Sequence, residues 1–130
     1  MSRGLGKVQN GCLLAIDHAE RAGELPPTTY DIAADVYHVE RDDDGYRYVS
    51  DAQHVAVKRA LEGLQRQGKV IGLAWRYCRD PIPPYGDRRS LWNYCWFSER
   101  GAQQWLRAQG ERPGVKTFRA KMLDIGMKLK

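Results

Sequence analysis

Apolar residues recur along the start of the chain at three- and four-residue steps. Leu5, Val8, Cys12, Ile16 and Ala19 fall on one side of a helix predicted from about Leu5 to Ala22. Gly23 ends it, and Pro26-Pro27 forbid its continuation, because proline lacks the amide a helix interior needs. A second helix is predicted from Thr28 or Thr29, whose hydroxyls can cap free amides, with Asp31 favourably placed in the first turn. Ile32, Ala33, Val36 and Tyr37 give it a buried face as far as about Val39. A polar link, Glu40–Val49, then carries the turn signal Asp42-Asp43-Asp44-Gly45, after which Tyr46-Arg47-Tyr48-Val49 suits a short extended piece. The third helix has the fullest signature. Ser50 with Gln53 makes a capping box, and Gly68 closes the helix. Val57, Ala60, Leu61 and Leu64 point inward, leaving Asp51, His54, Val55, Lys58, Arg59, Glu62 and Arg66 on the outer side.

After Gly68 the period drops from 3.6 to 2. Val70–Cys78 and Leu91–Phe97 read as two strands joined by a proline-rich, basic loop, Arg79 to Arg89. Ser98 caps a fourth helix reaching about Gln109, anchored by Trp105 and Leu106. Gly110 to Gly114 break the chain, and Val115, Phe118, Met122, Ile125 and Leu129 resume helical spacing. The pattern divides the chain into a domain over residues 1–110 and a basic amphipathic extension over 111–130.

A chain of 130 residues is long enough to bury a core without disulfide or metal staples. No stretch of about 18 apolar residues appears, so no membrane-spanning helix is predicted. Cys12, Cys78 and Cys95 are scattered and odd in number, which suits reduced thiols and a cytoplasmic setting. Charge is unevenly placed. Residues 1–57 hold five basic and ten acidic side chains, residues 58–100 nine against four, and residues 112–130 six against one. An acidic beginning followed by two basic segments suits a protein that turns one face to a polyanion.

The order helix, helix, helix, hairpin, helix resembles the winged helix-turn-helix family of small bacterial, plasmid and phage regulators. Three stretches carry the resemblance. Thr28-Thr29-Tyr30-Asp31-Ile32-Ala33 resembles the start of the positioning helix. Ser50 to Leu64, followed by Gln67-Gly68-Lys69-Val70, is similar to the recognition helix and the turn into the wing. Phe97-Ser98-Glu99-Arg100-Gly101 resembles the exit from the wing. The link between the second and third helices is longer than a simple helix-turn-helix turn, and the wing loop is long.

The resemblance implies a mainly α fold with a β-hairpin wing, the third helix in the major groove and the wing on backbone or minor groove. The side chains fit that placement. Gln53 suits adenine, Arg59 suits guanine, and Val55 suits a thymine methyl. His54 and Lys58 suit bases or phosphates, and Arg76, Arg79, Arg88 and Arg89 suit phosphates or a narrow minor groove. Thr28 and the amides of the second helix offer a phosphate seat.

Other patterns yield less. Glu40, Asp42, Asp44 and Asp51 approach the spacing of a calcium loop, but Glu40 replaces its first Asp, Arg47 stands where an apolar residue belongs, and Asp51 replaces its bidentate Glu. Gly110 to Thr117 resembles a phosphate-binding loop except that Val115 replaces its second glycine and no strand precedes it. Cys78 and Cys95 lack the further ligands zinc needs, and His18, His38 and His54 have no nucleophile or carboxylate at a telling spacing. No cofactor, metal site or catalytic activity is therefore expected.

The expectation is a sequence-specific regulator that binds double-stranded DNA in the cytoplasm, at the nucleoid, without catalysing a reaction. It includes a homodimer to whose interface the C-terminal apolar stripe contributes, and the competing expectation is that this stripe folds back onto its own domain. The alternative is a protein-interaction module of a replication, partition or phage assembly, using the basic tail and the aromatic hairpin of Trp75, Tyr77, Trp92, Tyr94 and Trp96. For that hairpin the competing expectation is core, as a half-buried sheet packed on the first and third helices.

Overall fold

The computed structural model describes residues 6–74, 94–109 and 114–128. Three helices come first: α1 (Lys7–Arg21), α2 (Thr29–Val36) and α3 (Asp51–Arg66). Strands β1 (Val70–Ala74) and β2 (Tyr94–Ser98) pair antiparallel, and α4 (Glu99–Gln109) and α5 (Val115–Asp124) follow. The described residues are mainly helical with one small two-stranded sheet, a layout compatible with a winged helix.

Local signals set the helix starts. Thr28 Oγ1 accepts from Asp31 N at 3.1 Å while Thr28 N donates to Asp31 Oδ2 at 3.0 Å. Ser50 and Gln53 repeat the arrangement at the head of α3. Ser98 Oγ accepts from Gly101 N at 3.1 Å and so caps α4.

The sheet divides the interior. Side chains alternate along a strand, and here the alternation feeds two separate cores. Val70 and Trp96 join Cys12, Ile16, Ile32, Val57, Leu61 and Leu64 beneath α1, α2 and α3. Ile71, Leu73, Cys95 and Phe97 face the other way, onto Trp105, Leu106, Val115, Phe118 and Met122. Rings of Phe97, Trp105 and Phe118 meet at centroid distances of 5.3–5.9 Å there. The sheet is thus covered on both faces, not on the α1/α3 face alone. Trp75, Tyr77 and Trp92 lie outside the described residues.

Of the two expectations for the C-terminal segment, its packing follows the fold back onto the domain. Val115, Phe118, Met122 and Met127 are buried in the second core, so α5 completes the domain instead of extending from it. The helix stops at Asp124 because Gly126 adopts a left-handed φ of 88° and Met127 N donates back to Met122 O at 2.8 Å. Met127 is thereby returned to the core. Gly68, at φ 73°, closes α3, and a side chain there would meet the Ile125 carbonyl at 2.8 Å. Val115, Phe118 and Met122 of the apolar stripe are covered within the chain, Ile125 is half-buried, and Leu129 lies outside the described residues.

The link between α2 and α3 is tied down by two side chains. Arg47 donates to the Ala34 and Val39 carbonyls at 2.7 Å each and to Asp35 Oδ1 at 2.6 Å. Its guanidinium caps the end of α2, which stops at Val36, short of the expected Val39. Tyr30 Oη donates to Arg47 O and accepts from Val49 N. Asp42 Oδ1 accepts from Asp44 N and Tyr46 N at 2.9 Å each, so the acidic run forms a turn around its first carboxylate. Residues 46–49 form no strand.

Replacing Arg47 by alanine leaves the Val39 carbonyl without its donor and the Ala34 carbonyl with only Val39 N, so urea unfolding should show a loss of about 2 kcal/mol. Lysine, a single point donor, should restore less than half of it. Phe118→Ala should cost about 3–5 kcal/mol, because it opens a cavity in a sealed core. Deleting residues 112–130 should likewise lower the unfolding midpoint sharply. A deletion that leaves the midpoint unchanged would contradict the packing of α5.

Candidate nucleic-acid interface

The capped α3 separates cleanly into two sides. Val57, Leu61 and Leu64 are fully buried, whereas Lys58 and Arg59 are exposed and Val55 is 43% exposed. His54 is half-buried, its ring 6.5 Å from that of Tyr30. Asp51 and Glu62 are the acidic side chains on this outer surface.

Gln53 faces two competing demands. Its Oε1 accepts from Ser50 N at 3.0 Å, closing the capping box. Bidentate reading of adenine needs that same oxygen together with the amide nitrogen. With the cap intact, Gln53 offers only Nε2, which can donate to an acceptor but distinguishes bases poorly. Thr28 stands further from its expected role. It is 7% exposed, its hydroxyl holds the α2 cap, and the Asp31 carboxylate already faces the first amides of that helix. Arg76, Arg79, Arg88 and Arg89 lie outside the described residues.

Beside α3 is a hollow of about 250 Å³ that sequence reasoning missed. His54, Lys58, Glu62 and Gln65 form its α3 wall, Thr29, Tyr94 and Trp96 line its interior, and Lys121 reaches in from α5. Lys121 Nζ donates to Gly72 O at 2.7 Å and sits 5.2 Å from the centre of the Tyr94 ring. Gln65 Oε1 accepts from Gly72 N at 2.9 Å, so two side chains satisfy the free edge of β1. Burial holds the Lys121 ammonium below the ordinary lysine range. The sequence signal for this contact was only a lysine within a basic amphipathic segment, with no hint of where the segment would pack.

The larger hollow, about 1030 Å³, lies between α1 and the end of α2 and shares no residue with α3. Leu14, 70% exposed, stands at its side with His18, Tyr37 and His38. Among the described residues no three His, Cys, Asp or Glu side chains converge to hold a metal. Cys12 and Cys95 are buried, and burial pushes the Cys12 thiol up to about 12, far from a nucleophile's range. Among the described residues no helix is long and apolar enough to cross a membrane.

Comparison with protein-family models, with curated proteins and with solved structures finds no match to the chain. Any functional reading therefore rests on the residues of this surface.

The two demands on Gln53 can be separated. Gln53→Ala should lower stability by about 1 kcal/mol through loss of the cap. Gln53→Glu, which keeps an acceptor at the same place, should retain most of it. Thermal melts of the two variants that coincide would show that the side chain contributes nothing to capping.

Proposed function

We propose that the chain is a sequence-specific binder of double-stranded DNA, of the small winged helix-turn-helix kind, acting as a regulator in the cytoplasm at the nucleoid and catalysing no reaction. The observation that carries this reading is the outer face of α3. Val55, Lys58 and Arg59 stand exposed on a 16-residue helix whose opposite side is locked into the core. A helix of that kind fits the major groove, where arginine pairs with the N7 and O6 of guanine and an apolar side chain meets a thymine methyl. Lys58 and His54 serve phosphates or neighbouring base edges. Gln53 and Thr28 contribute mainly by holding the heads of their helices, and the wing arginines complete the backbone contacts.

The alternative is a protein-interaction module of a replication, partition or phage assembly. Trp96, Val115, Phe118 and Met122 are buried, Tyr94 is the exposed aromatic residue of β2, and Trp75, Tyr77 and Trp92 lie outside the described residues. The exposed Leu14 beside the α1/α2 hollow is the observation that favours this second reading. Should the protein read two half-sites as a homodimer, the copies would pair through a surface other than the Val115–Met122 stripe.

Duplexes selected from a random library, titrated by fluorescence anisotropy at several salt concentrations, provide the test. Affinity should fall steeply with salt, log K changing by about −0.9 per neutralised phosphate. Arg59→Ala should cost about 1–3 kcal/mol on the selected site and little on unrelated sequence. Absence of duplex binding at low salt, or equal loss on all sequences, would overturn sequence-specific recognition.

A further inference from the structure

We propose that the hollow between α3 and α5 seats one backbone phosphate of the bound duplex, held between Lys58 on the recognition helix and Lys121 on the C-terminal helix. The inference rests on the duplex-DNA reading and adds to it a helix that lies 49 residues away from the β1 carbonyl it touches.

Position is the first argument. Lys58 belongs both to the exposed face of α3 and to the wall of the hollow. A strand of DNA that follows α3 along the groove edge therefore passes the opening. The hollow measures about 250 Å³, below the range of roughly 300–1,000 Å³ typical of small-molecule pockets but ample for a tetrahedral oxyanion with water.

Charge and hydrogen bonding supply the second. An ammonium carries three N–H donors, and the Gly72 carbonyl takes one of those on Lys121. The Tyr94 ring face favours the cation without accepting a conventional hydrogen bond. Among the described residues neither Lys58 nor Lys121 forms an ion pair, and Glu62 is the single carboxylate lining the hollow. His54 adds an imidazole donor on the same wall. Lys121 is half-buried, with its charge disfavoured by desolvation, and an anion beside it reverses that penalty. A phosphate diester supplies the charge and two free oxygens, one for each lysine.

Full-length protein carrying Lys121→Gln, Lys121→Met or Lys121→Arg distinguishes this role from the structural bond to Gly72. Each is titrated with the selected duplex and with an unrelated duplex across a salt series, with thermal melts alongside. Gln and Met should each weaken both duplexes about five- to tenfold near 0.1 M salt and reduce the salt slope by about 0.9. Arg, which keeps the charge, should restore the wild-type slope. Methionine retains the aliphatic stem over Tyr94 and carries the test if the glutamine variant fails to fold. Wild-type slopes in folded Gln or Met variants would overturn the phosphate seat while leaving duplex binding intact. A wild-type protein that binds no duplex would overturn the DNA reading itself, and the seat with it.

Discussion

The alternation of side chains along two five-residue strands holds the molecule together. Trp96 points into one core and its neighbours Cys95 and Phe97 into the other, so β2 belongs to both. A two-stranded ribbon is marginal in water by itself, and this one persists because helices cover each face. Its edges are closed as well. Trp96 N donates to Pro27 O and Thr28 bridges Cys95 along one side, while Gln65 and Lys121 satisfy Gly72 on the other. The indole of Trp96 lies across Gly72, where a Cβ would stand 3.0 Å from the ring, and its Nε1 donates to Thr29 Oγ1 at 2.8 Å. Removing that ring would loosen β1, β2 and the start of α2 together.

The same arrangement fixes what α3 can present. Val57, Leu61 and Leu64 pack in the core that Val70 and Trp96 close, so the helix cannot roll without breaking the sheet contact. Arg47 and Tyr30 hold the approach to it. The α2–α3 link is long by the standard of a helix-turn-helix, yet its two ends are joined by charged hydrogen bonds to Ala34 and Val39 and by the Tyr30 hydroxyl. A short turn fixes the angle between two helices through backbone sterics alone. Here side chains perform that task, leaving the ten residues between Glu40 and Val49 room to form the Asp42 turn.

What was legible in the sequence is what short-range physics determines. Helix starts at Thr28, Ser50 and Ser98 were readable because each cap bonds an amide three residues ahead. The buried and exposed sides of α3 followed from its period. Contacts that join distant segments left no comparable signal: Glu20 accepts from Ser98 N and Oγ across 78 residues, and Arg47 looked like ordinary loop charge. The C-terminal stripe illustrates the limit. Its spacing showed that Val115, Phe118 and Met122 must be covered, but amphipathicity names no covering surface. The conflict at Gln53, by contrast, was already present in the sequence, since a capping box and an adenine contact require one oxygen.

Charge along the chain acquires a different meaning once folded. The first 57 residues carry ten acidic side chains, a number that taken linearly would repel a polyanion. Five of them have internal partners. Asp17 binds Arg21 and Arg100, Glu20 binds Ser98, Asp31 and Asp42 hold backbone amides, and Asp35 meets Arg47. A carboxylate engaged with an amide or a guanidinium projects a weaker field than a free one, and the field falls off within about 10 Å at moderate salt. The cations of α3 and α5 are arranged differently. Lys58, Arg59, Lys116 and Arg119 are exposed, and Lys121 bonds a neutral carbonyl that leaves its charge uncompensated. Folding thus engages much of the acidic excess in structure and leaves positive charge on the outer side of α3 and at the α3–α5 hollow. The uneven charge of the linear chain is redistributed, with Lys58 and Lys121 brought to one hollow between α3 and α5.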